Sequence, residues 1–113
     1  SVELGRAIAK ALSGMNAVVI ASTDLTHYEP QETASKKDNA VIKAILDLDV
    51  DSLYKTVMSL NVSMCGYGPA AAAITASREA GANTAKLLSY KTSGDVTGDF
   101  SAVVGYAALS IER

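Results

Sequence analysis

A carboxylate and the only histidine of the chain lie three residues apart, in the segment STDLTHY of residues 22–28. At this spacing, one turn of the chain brings Asp24 and His27 to the same side. A carboxylate beside an imidazole can orient the ring, raise its basicity or share a metal ion with it. The alternative is that Asp24 caps a turn while His27 packs on a loop, so the pattern alone leaves both interpretations open.

The only cysteine, Cys65, opens the motif CGYGP of residues 65–69, directly before a predicted helix. A helix N-terminus favours the thiolate form of a nearby thiol, and a thiolate is both a soft metal ligand and a nucleophile. The alternative is a small buried side chain in a glycine-rich turn. A lone cysteine forms no internal disulfide, which fits a reducing cytoplasm.

Asp24, His27 and Cys65 are the candidate metal ligands, and three is the largest number that this sequence suggests. The facial triad of a non-haem iron site needs two histidines and a carboxylate, and the chain has one histidine. A complete site of that kind would therefore need ligands from other sequence. A third polar motif, Ser93-Gly94-Asp95, is interpreted as a surface turn.

Charge and hydropathy narrow the classes of partner. The 113 residues include 10 Lys and Arg and 12 Asp and Glu, a net charge of −2. This balance argues against a nucleic-acid binder that relies on clustered basic residues. We also expect no membrane segment, because no run of about 20 apolar residues occurs. A cytoplasmic location is therefore expected.

Hydrophobic periodicity predicts an α/β protein with a mixed, largely parallel sheet flanked by helices. The unbroken apolar run Ala17–Ala21 is typical of a central strand buried on both faces, and residues 22–30 would form a loop at its carboxyl end. Asp51 is expected to cap the third helix. The predicted helices cover residues 2–13, 33–48, 51–60 and 70–80, and the predicted strands cover 17–21, 85–91 and 102–111. So small a sheet leaves helix faces uncovered, which points to a missing partner half or a homo-oligomer.

Four motifs occur in the order found in the Memo family, also called AmmeMemoRadiSam system protein B. They are IASTDLTHY at 20–28, CGYGP at 65–69, LSY with SGD at 88–95, and VVGYAA at 103–108. The chain resembles the C-terminal part of such a protein over nearly its whole length. Residues 1–113 would thus be a single domain or the C-terminal part of a larger Memo-like domain.

The resemblance implies a fold similar to class III extradiol dioxygenases of the protocatechuate 4,5-dioxygenase type, which use non-haem iron. In Memo proteins a pocket for copper or iron combines two histidines of the N-terminal half with the cysteine of the Cys-Gly motif. Carried over, Cys65 and His27 become metal ligands, and Asp24 and His27 become catalytic pocket residues. The implied cofactor is iron or copper, with zinc as a further candidate, and it requires ligands absent from this chain.

Three functions remain open at this point. The first is a metal pocket with redox or dioxygenase-like activity. The second is a binding module that uses the same pocket without turnover, because eukaryotic relatives are associated with phosphotyrosine peptides; its ligand would be a peptide or a small molecule. The third is a hydrolase with Cys65 as nucleophile, His27 as base and Asp24 orienting the ring.

Overall fold

Five helices and three strands form the part of the chain that the computed structural model describes, which is residues 2–14, 23–64 and 66–112. No helix in these ranges has the length and apolar content needed to cross a membrane. In chain order the elements are α1 Val2–Ala11, β1 His27–Glu29, α2 Gln31–Leu46, α3 Val50–Ser59, α4 Tyr67–Glu79, β2 Thr84–Thr92, α5 Gly94–Thr97 and β3 Val103–Glu112.

The N-cap of α3 lies two residues before the predicted capping residue. Asp49, not Asp51, is the N-cap, and its carboxylate accepts hydrogen bonds from the backbone N–H of Ser52 at 3.1 Å and from the Ser52 hydroxyl at 2.9 Å. These two bonds hold the pKa of Asp49 below its ordinary value. Asp51 lies in the first turn, where a carboxylate still interacts favourably with the helix dipole.

The sheet has the strand order β1-β3-β2, and both pairings are antiparallel. The α/β class is confirmed, but the predicted largely parallel direction is wrong for these strands. Residues 93–102 are too short a link for a parallel crossover, which takes a dozen residues or more, so β2 and β3 pair as a hairpin. The predicted strand Ala17–Ala21 lies outside the described residues.

Strand β1 falls in the segment predicted to be a loop. His27 pairs with Val104 and Glu29 with Val103, so Tyr28 is an extra residue that bulges out of the ladder. Backbone hydrogen bonds to β3 continue in the residues before β1. The N–H of Leu25 donates to the carbonyl of Gly105 at 2.9 Å, and the N–H of Gly105 donates to the carbonyl of Thr26 at 3.0 Å. Residues 23–27, which carry Asp24 and His27 and are called the site segment below, are therefore fixed along the first half of β3.

The apolar core lies between the sheet and helices α2, α3 and α4. Its least exposed large side chains are Val41, Leu53, Ile74 and Val103. One side of β2 and β3 covers this core with partly buried residues, including Tyr90, Ala107 and Leu109. Helix α2 thus packs directly under the strands that hold the candidate site.

Candidate functional site

Asp24 and His27 lie side by side at the start of β1. The distance from Asp24 Oδ2 to His27 Nε2 is 3.4 Å, and the side chains are 47% and 25% exposed. Both groups are therefore accessible to a ligand while being held by the fold. The pair occupies one side of the chain, as their three-residue spacing indicates.

The orientation of the His27 ring is set by Ser63, which lies in the segment between α3 and α4. The backbone N–H of His27 donates to Ser63 Oγ at 2.8 Å, and Nδ1 lies 2.9 Å from the Ser63 carbonyl oxygen. A carbonyl oxygen only accepts hydrogen bonds, so Nδ1 must carry a proton. In the neutral ring this leaves Nε2 with a lone pair, directed at Asp24.

The space between Nε2 and the Asp24 carboxylate is suited to a cation. Both atoms are acceptors when the ring is neutral, so their approach to 3.4 Å is favourable only with a positive charge between them. That charge is a proton, which makes an imidazolium–carboxylate pair, or a metal ion. Two ligands bonded at about 2.1 Å to a tetrahedral ion lie about 3.4 Å apart, so the pair fits a shared metal.

The same contacts argue against the Cys-His hydrolase interpretation. A general base needs a ring nitrogen that can accept the proton of the nucleophile. In His27, Nδ1 faces the Ser63 carbonyl and Nε2 faces Asp24. Among the described residues, which omit Cys65, neither nitrogen is directed away from these two oxygens toward a third group.

Cys65 lies outside the described residues, but the chain on both sides of it is bonded to the site segment. The N–H of Gly66 donates to Thr23 Oγ1 at 2.8 Å, and Ser63 holds His27. The two candidate motifs are therefore adjacent in the fold. Within the described ranges, which omit Cys65, no group of three or more His, Cys, Asp and Glu side chains is arranged to hold a metal.

Asp38 is a residue of the site that sequence reasoning missed. It is fully buried in α2, where its Oδ1 accepts from the N–H of Thr26 at 2.9 Å and from the Thr26 hydroxyl at 2.6 Å. Its Oδ2 accepts from the Tyr90 hydroxyl at 2.5 Å. The available signal was its place on the buried face of α2, four residues after Ala34 and three before Val41.

Tyr28 lies beside His27 in a conformation that tyrosine rarely adopts. Its φ is +57°, the residue is 77% exposed, and its ring meets that of His27 edge-on with centroids 6.0 Å apart. Left-handed backbone costs a non-glycine residue about 1–2 kcal/mol, and glycine usually fills this place in a bulge. Strain of this kind is often found at ligand-binding sites.

Tyr28→Gly is therefore expected to raise the free energy of unfolding by up to about 1 kcal/mol, because it relieves this strain and loses little packing. Urea denaturation measures the change. The matched control is Tyr106→Gly, which removes a half-exposed tyrosine from β3 at a position without positive φ and is expected to destabilise the protein. A loss of stability in both variants would contradict the prediction.

Fold and site together define an α/β protein whose candidate metal-binding pair is held between β3 and the segment before α4. A sequence profile of the Memo-like protein family matches residues 1–110. The chain belongs to this family.

Curated relatives agree with this assignment. A MEMO1 family protein of Methanocaldococcus jannaschii is 58% identical over 114 residues, covering 99% of this chain and 40% of that protein. MEMO1 family proteins of Methanococcus maripaludis strain C6 and Methanosarcina acetivorans are 53% and 52% identical, each across 99% of this chain and across 40% and 43% of their own lengths. The chain thus spans about two fifths of the length of these relatives.

Proposed function

We propose that this chain supplies part of a Memo-type metal pocket, with His27 and Cys65 as ligands and Asp24 sharing the bound ion or orienting it. The observation that carries the proposal is the 3.4 Å separation of His27 Nε2 from Asp24 Oδ2. The proton on Nδ1 supports it, because the bond to the Ser63 carbonyl leaves Nε2 free of a proton for coordination.

Iron or copper in this pocket would supply redox chemistry or Lewis-acid activation of a bound oxygen group, and zinc would supply the Lewis acid alone. The residues of this chain perform the binding and orienting steps. Ser63 fixes the tautomer of His27, and Asp24 presents a half-exposed carboxylate beside it. Thr23 connects the Asp24 segment to Gly66, next to the proposed thiolate ligand.

The number of ligands in this chain favours a site that is completed elsewhere. His27, Cys65 and Asp24 give three donors, whereas tight zinc sites use four and are worth about 10–16 kcal/mol. The relatives are more than twice as long as the aligned segment, so their remaining length can supply further ligands. We accordingly place the full activity in the family-length protein, of which this chain forms the part that carries Asp24 and His27.

Metal content tests the proposal. The 113-residue chain is compared with a chimaera in which it replaces the matching two fifths of the Methanocaldococcus jannaschii relative. We expect close to one iron, copper or zinc per chimaera by mass spectrometry and little metal on the short chain. Stoichiometric metal on the short chain would contradict a divided site and favour a complete one made of Asp24, His27 and Cys65.

Single substitutions in the chimaera assign the ligands. Cys65→Ser and His27→Ala are expected to lower zinc affinity at least about 100-fold, and Asp24→Asn about 10-fold or more, because an outer partner alone contributes 10–100-fold. The control, Asp51→Asn, removes an exposed carboxylate on α3 and should change nothing. Loading with Co²⁺ adds a thiolate-to-metal absorption band that Cys65→Ser must abolish. Unchanged metal content in Cys65→Ser and His27→Ala would contradict the proposal.

A non-catalytic binding module remains the second candidate, and exposure of Tyr28 favours it. A tyrosine that is 77% exposed, with a strained backbone and beside two accessible polar groups, is suited to contact a ligand. A fluorescent phosphotyrosine peptide is the probe, with binding followed by polarisation. Undiminished binding after the chimaera is stripped with a chelator supports a module that needs no metal, whereas binding that depends on metal supports the first candidate.

A further inference from the structure

Asp38 is a buried carboxylate in the interior of a helix, where aspartate is a poor helix former. Its side chain has no exposed surface, and no lysine or arginine of the described residues forms an ion pair with it. Three hydrogen bonds from neutral donors compensate for its burial. Burying a carboxylate is costly, so an apolar residue would serve this position better if it only filled space.

The partner of Asp38 in the site is Thr26, which lies between Asp24 and His27 in the chain. One oxygen accepts from both the N–H and the hydroxyl of Thr26, which fixes the backbone and the side-chain rotamer of that residue at once. Thr26 directly precedes His27, whose own N–H is directed at Ser63. The direction of the His27 backbone therefore depends on Thr26. That direction in turn determines whether the His27 ring can contact the Ser63 carbonyl.

Two other elements are shaped to admit the carboxylate. A Cβ at position 105 would lie 1.9 Å from Asp38 Oδ2, so β3 has a glycine where the oxygen approaches. Tyr90 of β2 donates its hydroxyl to the same oxygen. Burial, together with this hydrogen bond, raises the pKa of Tyr90, so the hydroxyl stays protonated and remains a donor.

We propose that Asp38 is a positioning residue of the site, which acts through Thr26 to hold the His27 ring with Nδ1 on Ser63 and Nε2 facing Asp24. The inference deepens the proposed function above. The positioning of His27 by Asp38 stands without that function, and only its purpose, which is metal binding, rests on it. The geometry of His27 can be measured without any metal.

The test uses the fact that His27 is the only histidine of the 113-residue chain. Its imidazole signals in a long-range ¹H–¹⁵N NMR spectrum, recorded at a pH at which the ring is neutral, report which ring nitrogen carries the proton. We expect wild type to show protonated Nδ1, Asp38→Ala to shift toward the Nε2-protonated form of a free ring, and Asp38→Asn to keep the wild-type spectrum. Asparagine retains an oxygen that can accept both bonds from Thr26.

A matched control separates positioning from general stability. Thr92→Val removes a partly buried hydrogen bond between β2 and α2, from Thr92 Oγ1 to Gln31 Oε1 at 2.6 Å, without touching the site segment. It should lower the melting temperature but leave the His27 spectrum unchanged. If Asp38→Ala does not fold, Thr26→Val is the deciding variant, since it removes only the hydroxyl group that donates a hydrogen bond to Asp38.

A His27 spectrum in Asp38→Ala or Thr26→Val that matches wild type would overturn the proposal, as would an equal change in Thr92→Val. Zinc titration of the chimaera adds a second measurement, with a loss of about 10-fold expected for Asp38→Ala. If the chimaera binds no zinc while the NMR shift occurs, the metal proposal fails and the positioning role stands. If the chimaera binds zinc while the His27 spectrum is unchanged in Asp38→Ala, the positioning role fails and the metal proposal stands.

Discussion

Gly105→Ala is expected to lower the free energy of unfolding by about 3 kcal/mol or more. A methyl group at this position would lie 1.9 Å from Asp38 Oδ2 and 3.2 Å from the Tyr90 hydroxyl. Asp38 cannot withdraw without breaking its bonds to Thr26 and Tyr90, so overpacking is added to lost hydrogen bonds. Chemical denaturation followed by circular dichroism measures the effect.

Two controls isolate the clash with Asp38. Gly98→Ala changes a glycine with φ +78° and nothing within 4 Å, so it should cost only about 1 kcal/mol of backbone strain. In the double variant Gly105→Ala with Asp38→Ala, the clashing oxygen is absent. The double variant should therefore lose at least about 1 kcal/mol less than the sum of the two single losses. Additive losses would contradict the proposed contact.

Helices were the part of this fold that local sequence could predict. Apolar residues recur with helical period in α1, α2 and α3, and α4 is rich in alanine, the best helix former; both signals depend only on neighbours along the chain. Gly14, which has a φ of +77°, predicted an end of the first helix at residue 13, whereas α1 ends at Ala11. Helix boundaries were less exact: α2 begins at Gln31 and not at residue 33, because the N–H of Gln31 is already bonded to Phe100 far along the chain.

The sheet was predicted less well, because its pairing depends on distant residues. The expectation of parallel strands rested on the apolar run Ala17–Ala21, whereas the pairing of β2 with β3 is set by the short connection between them. Strand β1 has three residues and a bulge, too few for an alternating pattern to show. Its existence depends on contact with Val103 and Val104, more than 70 residues later in the sequence.

The candidate site likewise has residues that the sequence predicts and residues that it does not. The proximity of Asp24 and His27 follows from their spacing, and the resemblance to the Memo family drew attention to both. Ser63 and Asp38 were missed, since they lie 36 and 12 residues from their partners in the site segment. Single-sequence patterns carry no information on which serine orients a ring, and Asp38 is detectable only as a polar residue on an apolar helix face.

Leu53→Ala is the second substitution expected to have a large effect, with a loss of about 3 kcal/mol in the free energy of unfolding. Leu53 has no exposed surface and lies in the core between α2, α3 and α4. Truncating a buried leucine removes its transfer free energy and leaves a cavity, which together cost about 2–5 kcal/mol. Helix α3 leads into the segment that carries Ser63, where Val62 and Met64 are also buried in this core.

Met58→Ala is the matched control, since Met58 lies on the same helix but is 66% exposed. Its loss should stay within about 0.5 kcal/mol. The His27 NMR spectrum then distinguishes stability from site geometry: folded Leu53→Ala should keep Nδ1 protonated, because the bonds of His27 to Ser63 and of Thr26 to Asp38 do not involve the leucine. Equal losses in the two variants would show that α3 does not pack on the core through Leu53. A displaced His27 signal in folded Leu53→Ala would show that core packing by α3, and not the hydrogen bonds of Ser63 and Asp38 alone, determines the orientation of the ring.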